Sequence, residues 1–300
     1  MMTFAYEVWD VFTDVPLTGN QLAVFPDARG LADDQMLSIA REMNFSETTF
    51  VFPREPEVQR RKGVRTRIFL KTAEIPFAGH PVLGTAFALW TADRTVTDVE
   101  GLSVTLDINA GPIRVTFAQV EGGHWHGTMT QPEPEFREIH QAPVIGPLLG
   151  VELSAIDGSI PIQTVSTGRP NVLVMLKTLA AIQQVRFDWN AMDEYFASGD
   201  TERSFYLVCP KTRVESRHFH ARKILRNGED PVTGSAAGCA IAWLVKHGRV
   251  TPDTRTVIEQ GTEMEREGEA ITSASLAGDR VTNVRVGGGS VLVMTGTLRL

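Results

Sequence analysis

Cysteine is nearly absent: Cys209 and Cys239 are the only two in 300 residues. That scarcity excludes a disulfide framework and fits a reducing compartment. Cys239 falls inside an apolar, helix-like run and Cys209 ends a strand-like run before Pro210, so both read as small core residues rather than nucleophiles. The sequence also lacks any apolar run of about 18 residues, the length a spanning helix needs. The start, Met1-Met2-Thr3-Phe4-Ala5-Tyr6-Glu7, has neither the basic opening nor the apolar core of a signal peptide. A cytoplasmic protein with no membrane role is expected. Positive charge is in deficit, with a net charge of -7. The single basic cluster, Arg60-Arg61-Lys62 with Arg65 and Arg67, stands beside Pro53 and Pro56 and reads as a solvated loop feeding a strand. Nucleic acid is therefore not an expected partner. No dinucleotide fingerprint or phosphate-binding Lys motif occurs, and Gly287-Gly288-Gly289 has no following helix, so it reads as a turn or bulge. His124-x-His126 and His218-x-His220 could each put two imidazoles on one strand face, but no Cys or carboxylate set of suitable spacing accompanies them. No metal is expected.

What is present is a repeat. Glu74-Ile75-Pro76-Phe77-Ala78-Gly79-His80 returns as Glu229-Asp230-Pro231-Val232-Thr233-Gly234-Ser235, an offset of 155 residues, and each copy leads into an apolar run of small residues. Thr18-Gly19-Asn20 is echoed by Thr167-Gly168-Arg169, and Ser46-Glu47-Thr48-Thr49-Phe50 by Thr201-Glu202-Arg203-Ser204-Phe205. Three matches in the same order point to two duplicated domains rather than a solenoid of short repeats. The composition, 42% hydrophobic and 22% charged, suits two domains each large enough for its own core. The two prolines of Gln131-Pro132-Glu133-Pro134-Glu135 mark the boundary, giving lobes of 1–129 and 130–300, with the last strand (about 290–300) able to pack back on the first lobe.

Along the chain, Tyr6–Phe12 and Gln21–Phe25 read as strands joined by a turn at Pro16 and Gly19. Asp33 or Asp34 is placed to cap a helix running to Met43. Strands are expected at Thr48–Phe52 and Val64–Leu70, and then at Val99–Ile108 and Ile113–Val120 around Asn109-Ala110-Gly111. Val82–Trp90 is apolar all round, the pattern of a buried helix. From Ile162 the order repeats, reaching a second buried helix at Ala236–Lys246; strands at Val281–Val286, Val291–Met294 and Gly296–Leu300 finish the chain. Each half is thus mostly antiparallel strand wrapped around one buried helix, an α+β arrangement of two pseudo-symmetric lobes.

Four strings carry a resemblance to a known family. They are Asp10-Val11-Phe12 through Gly19-Asn20-Gln21-Leu22-Ala23-Val24-Phe25, the stretch Ala40–Val51, Glu74–Ala86, and Glu229–Gly238. Together they resemble the PhzF family of phenazine-biosynthesis isomerases, whose fold is shared with diaminopimelate epimerase, and the match covers most of the chain. The resemblance implies two lobes, each a barrel-like sheet around a central helix, a homodimer, and catalysis without a cofactor. Ala40–Val51 is especially similar to the phenazine-pathway members, which isomerise trans-2,3-dihydro-3-hydroxyanthranilate. The chain departs from the family at Phe219-His220-Ala221, where Phe-x-Pro is common, and at Glu265-Arg266-Glu267-Gly268, which replaces an expected Gly-Arg-Pro-Ser after Gln260-Gly261. Those departures bear on substrate more than on fold.

Moving a proton between two carbons of a small acid needs a base that takes it at one position and returns it at another, and a carboxylate with a raised pKa can do so. The resemblance implies that role for Glu47, shuttling a proton from C3 to C1 of a ring; Glu202, its repeat counterpart, has none. It also implies that His80 and Asp230, in the two repeated turns, hydrogen-bond the amino or hydroxyl group of the substrate. The residues themselves suggest a carboxylate site at two helix starts, Gly79-His80 and Gly234-Ser235, where first-turn N–H groups have no intrahelical acceptor. Two such ends facing one cleft would receive a small acid. Each is worth roughly 0.3 to 1 kcal/mol per exposed charge, enough to orient a carboxylate but not to bind it alone, so Ser235 and ring packing must add to it. Three readings stand: a proton-shifting isomerase of a small carboxylic acid, an amino-acid epimerase or racemase, and a non-catalytic binder of the same kind of acid.

Overall fold

Two helices are apolar on every side, and the rest of the structure is arranged to bury them. The first, Gly79–Ala92, keeps every residue from Gly79 to Ala88 and Trp90 out of solvent; the second, Gly234–Lys246, does so from Gly234 to Val245. A helix with no polar face must be enclosed, and here each is enclosed by strands of its own unit. The computed structural model describes residues 2–92, 102–197, 204–226 and 228–300. They divide into a first unit of Met1–Thr130 with Gly287–Leu300 and a second of Gln131–Val286.

In the first unit the elements run β1 (Thr3–Val11), β2 (Asn20–Phe25), α1 (Asp33–Met43), β3 (Glu47–Phe52), α2 (Pro56–Lys62), β4 (Val64–Phe69), β5 (Glu74–Ile75), α3 (Gly79–Ala92), β6 (Ser103–Ile108), β7 (Gly111–Gln119) and β8 (Trp125–Thr130). In the second they run β9 (Glu135–His140), α4 (Ala142–Leu149), β10 (Ile162–Ser166), β11 (Pro170–Met175), α5 (Leu179–Gln184), α6 (Trp189–Phe196), β12 (Ser204–Cys209), β13 (Phe219–Leu225), β14 (Gly228–Asp230), α7 (Gly234–Lys246), β15 (Thr256–Gln260), β16 (Gly268–Ala277) and β17 (Arg280–Gly288). The last strand, β18 (Ser290–Arg299), pairs antiparallel with β1 and belongs to the first unit.

The pairings show the duplication directly. In the first unit β1–β2 is antiparallel, β2–β3 parallel, β3–β4 antiparallel, β4–β6 parallel and β6–β7 antiparallel. In the second, β10–β11, β11–β12, β12–β13, β13–β15 and β15–β16 alternate in the same way. A short strand carrying the repeated turn pairs with the middle strand each time: β5 with β4, and β14 with β13. The expected α+β class holds, with α3 packed on β1, β2 and β6, and α7 on β16, β11 and β10. Glycine permits close approach in both helices. A Cβ on Gly84 would lie 2.7 Å from methyls of Leu22 and Val11, and one on Gly238 would lie 1.9 Å from Gln131 Oε1. The first core adds Phe4, Phe25, Met36, Ile39, Phe50 and Phe69, where Phe25 stacks on Phe50 at 5.1 Å between centroids.

Several expectations are corrected. Neither Asp33 nor Asp34 caps α1: the N-cap is Ala32, whose N–H donates to Gln35 Oε1, while Asp33 is drawn to Arg67. The basic cluster is not a loop, because Pro56 opens α2 at its first turn, where a missing N–H costs nothing, and Arg60, Arg61 and Lys62 form its basic last turn. The two strands expected at Val291–Met294 and Gly296–Leu300 are one, β18. Thr201, Glu202 and Arg203, which carry part of the repeat match, and residues 99–101 of the strand expected from Val99 lie outside the described residues. No helix among the described residues is long and apolar enough to cross a membrane.

Candidate active site

In the first unit the fold brings two of the expected residues together. Glu47 is the first residue of β3, in parallel register with Leu22 of β2. Its carboxylate is nearly enclosed, with Oε2 3.6 Å from His80 Nε2, and the imidazole is buried too. His80 sits in the first turn of α3, where Pro81 after it fits a helix start. Its far ring nitrogen, Nδ1, is 3.3 Å from Asn20 Nδ2 at the head of β2. An amide nitrogen can only donate, so with Asn20 as donor His80 Nδ1 accepts and the ring proton of the neutral imidazole sits on Nε2, toward Glu47. The polar line Asn20, His80, Glu47 thus crosses from β2 through α3 to β3 inside an apolar unit. Asn20 was visible only as part of a turn string; its contact spans 60 residues of sequence, and no local pattern encodes it.

Gly79, directly before His80, is buried, and the first turn of α3 carries no acidic side chain. The N–H groups there have no intrahelical acceptor and suit a carboxylate.

In the second unit Asp230 closes β14 and is half-buried. Its Oδ2 accepts from Thr233 Oγ1, and its backbone carbonyl accepts from Gln260 Nε2 at 2.7 Å. Gln260 Oε1 in turn accepts from the Thr233 N–H at 3.1 Å and from the Tyr206 hydroxyl at 2.9 Å. One buried amide at the end of β15 therefore fixes the turn that carries Asp230 and opens α7 at Gly234-Ser235. Gln131 secures the same helix start from another side, donating to Gly234 O at 2.9 Å and accepting from Thr167 Oγ1 at 2.7 Å. Gln260, Thr233 and Gln131 were not picked out from sequence, since a glutamine in a strand or a proline-rich stretch has no distinguishing signature.

The shared glutamate of the two turns is explained in the same terms. Glu74 is gripped by Arg67, with Nε to Oε1 at 2.8 Å, and Glu229 by Arg222, with Nε to Oε1 also at 2.8 Å. In both cases a second guanidinium nitrogen meets the other oxygen. Arg67 holds the Glu74 carboxyl below the usual range, against the effect of burial. These glutamates are structural, tying each short strand to its neighbour.

Two further histidines have polar partners, and both thiols are buried. His126 Nε2 meets Asp14 Oδ2 at 2.9 Å, and His218 Nδ1 accepts from the Val257 N–H at 3.1 Å. Cys239 lies in the middle of α7, where burial pushes its thiol up; burial does the same at Cys209, at the end of β12.

Comparison with known proteins agrees with this architecture. Residues 9–296 match the PhzC-PhzF family, described as phenazine biosynthesis-like proteins. An uncharacterized isomerase of Mesorhizobium japonicum is 35% identical over 308 residues, covering 99% of this chain and 99% of its own. The trans-2,3-dihydro-3-hydroxyanthranilate isomerase of Pseudomonas chlororaphis is 33% identical over 297 residues, covering 98% and 99%. Among solved structures, the Bacillus anthracis phenazine biosynthesis protein of the PhzF family superposes with a TM-score of 0.86 at 27% identity, covering 100% of both chains. The fold is a duplicated α+β architecture, and the relatives that share it over the whole chain are named isomerases or phenazine biosynthesis proteins. The chain belongs to the PhzC-PhzF family, an isomerase family.

Proposed function

We propose that the protein is a cofactor-independent isomerase that moves a proton within a small cyclic amino or hydroxy carboxylic acid, with trans-2,3-dihydro-3-hydroxyanthranilate as the leading substrate. The observation that carries this reading is the enclosed Glu47 carboxylate beside a His80 ring oriented by Asn20. A carboxylate held in one place beside a polar partner can act as both acid and base, taking a proton at one carbon and returning it at another. Glu47 takes the proton from C3, the electrons of that C–H bond enter the ring π system, and the same carboxyl returns the proton at C1. Composition is unchanged, so no oxidant or reductant is needed. His80 Nε2–H donates to an amino or hydroxyl oxygen or nitrogen of the ring and holds it over Glu47. The family resemblance supports substrate-contacting roles for Asp230, Gly234 and Ser235, and Gly79 offers its N–H at the start of α3. The relatives' names support the substrate class, and the family resemblance supports a homodimer, which light scattering on the purified protein tests.

A two-thiol epimerase finds less support, since neither cysteine stands at a helix start and burial raises both thiols. The test is ultraviolet spectroscopy of the dihydro-hydroxyanthranilate with pure protein, wild type against Glu47→Gln. Turnover by wild type with a loss of roughly 10²- to 10⁴-fold in the variant is expected, the usual contribution of a positioned acid/base. An inactive wild type, or a fully active variant, overturns the reading.

A further inference from the structure

His220 is the second residue of β13, and its side chain is 0% exposed. Its ring bridges two carboxylates: Nδ1 to Glu259 Oε1 at 3.0 Å and Nε2 to Glu263 Oε1 at 3.2 Å. Glu259 is the penultimate residue of β15, directly before Gln260, and Glu263 lies in the 3-10 turn Thr262–Met264 just after the strand. The imidazole therefore holds both ends of the segment from which Gln260 reaches Asp230 O and the Thr233 N–H. Between them Gly261 packs so tightly that a Cβ would lie 2.7 Å from Pro231 O, inside the repeated turn itself. Movement of Glu263 would be felt at Pro231 and Asp230.

We propose that His220 is a positioning residue for the Asp230 turn, fixing through Glu259 and Glu263 the segment that holds Asp230 and the start of α7. The role rests on the reading that Asp230 contacts the substrate. Holding both carboxylates needs both ring N–H groups, which only the imidazolium has; the neutral ring can donate to one. The surroundings favour the charged ring. Burial works against it, but the hydrogen bonds that the ring donates to Glu259 and Glu263 outweigh burial and push His220 up to about 9. The other charged or titratable groups facing the cluster are Arg222, 4.0 Å from Glu263 and forked onto Glu229, and the Cys209 thiol across from His220 on β12. His218 is engaged by Val257 N, and Glu259 also accepts from the Arg213 and Val214 N–H groups. Above its pKa, His220 lets go of one carboxylate and the segment loosens at one end.

Amide hydrogen exchange at Thr233, with the Val82 amide of the first unit as reference, reads this without any substrate. At pH 7 His220→Gln should exchange at Thr233 roughly tenfold faster than wild type, the loss of about one hydrogen bond to a charged group. Wild-type protection at Thr233 should fall as pH rises through about 9, and in the variant that fall should be missing. The alkaline limb of kcat/KM should show the same pattern. Unchanged Thr233 protection in the folded variant, or an alkaline fall that persists in it, overturns the proposal. Should His220→Gln fail to fold, Glu263→Gln decides by the same readout. Altered exchange in a protein that turns over no acid leaves the clamp standing and counts instead against the proposed reaction.

Discussion

Arg67 and Arg222 each fork onto the glutamate seven residues later, and each pair opens a turn of the same spelling, yet the polar residues delivered by the turn differ between the units. In the first, the turn delivers a buried His80 to the Glu47 carboxylate. In the second, the equivalent helix position is Ser235, and the polar group is Asp230, two residues after the start of its short strand and held by Gln260. The residues that repeat are those that build the turn: the glutamate, the proline and the glycine. The residues that differ are those to which the proposed reaction assigns chemistry. The duplicated fold keeps its ion pair twice, while the proposed reaction uses only one carboxylate for proton transfer.

The sharpest break of that comparison is a pair of substitutions at matching repeat positions. Glu47→Gln should lower kcat by roughly 10²- to 10⁴-fold, as loss of a positioned acid/base does, whereas Glu202→Gln, at a residue with no role in the proposed reaction, should leave it within a factor of about two, or a few tenths of a kcal/mol. Steady-state kinetics on the same substrate checks both. Comparable losses in the two variants would end the one-sided account.

Next in size is the ion pair itself. Arg222 is 9% exposed against 18% for Arg67, which also reaches Asp33. Breaking a buried pair strands the remaining charge and costs about 3 to 5 kcal/mol, so Arg222→Met should approach that range in urea unfolding and Arg67→Met should cost less. Equal costs would mean that burial does not separate the two units.

Much of this was legible in the sequence, for identifiable reasons. A helix apolar on all sides announces its burial, so α3 and α7 could be read directly, and the repeated turn exposed the duplication. Contacts far apart along the chain could not be read. The parallel pairings β2–β3 and β11–β12 leave no local pattern, and the partners of His220 lie 39 and 43 residues away. Glu47 came from the resemblance; nothing in Glu47-Thr48-Thr49-Phe50 alone says that its first side chain turns inward beside His80. Ala32 as the cap of α1 was missed because the capping oxygen belongs to Gln35, a residue read as ordinary helix.

The units should also part company with pH. A histidine whose pKa rises on folding stabilises the native state fully below its unfolded value and loses that contribution as pH climbs through the folded one. For His220 the window runs from 6.5 to about 9, and the whole shift corresponds to about 3 kcal/mol. Glu259 and Glu263, both lowered despite the opposing effect of burial because His220 bonds them, act in the opposite sense: their contribution is lost as pH falls through their folded values. Unfolding midpoints of wild type should therefore decline from neutral to alkaline pH, and those of His220→Gln should stay level. A parallel decline in both would assign the alkaline loss to some other group.

The smallest expected contrast is between the two helix glycines. Gly238→Ala would put a methyl group onto Gln131 Oε1, an atom that accepts from Thr167 and belongs to the amide holding Gly234. Gln131 is itself buried and cannot swing away without leaving those partners unsatisfied, so overpacking and a lost hydrogen bond combine to about 2 to 3 kcal/mol. Gly84→Ala meets only the ends of Leu22 and Val11. Those methyls can yield by small rotations, and alanine gains up to about 1 kcal/mol over glycine in helix propensity, so the net cost should be near 1 kcal/mol or below. Urea denaturation of both variants measures the difference. If Gly84→Ala proved the costlier of the two, the tighter fit would lie against the aliphatic sheet of the first unit rather than at the hydrogen-bonded start of α7.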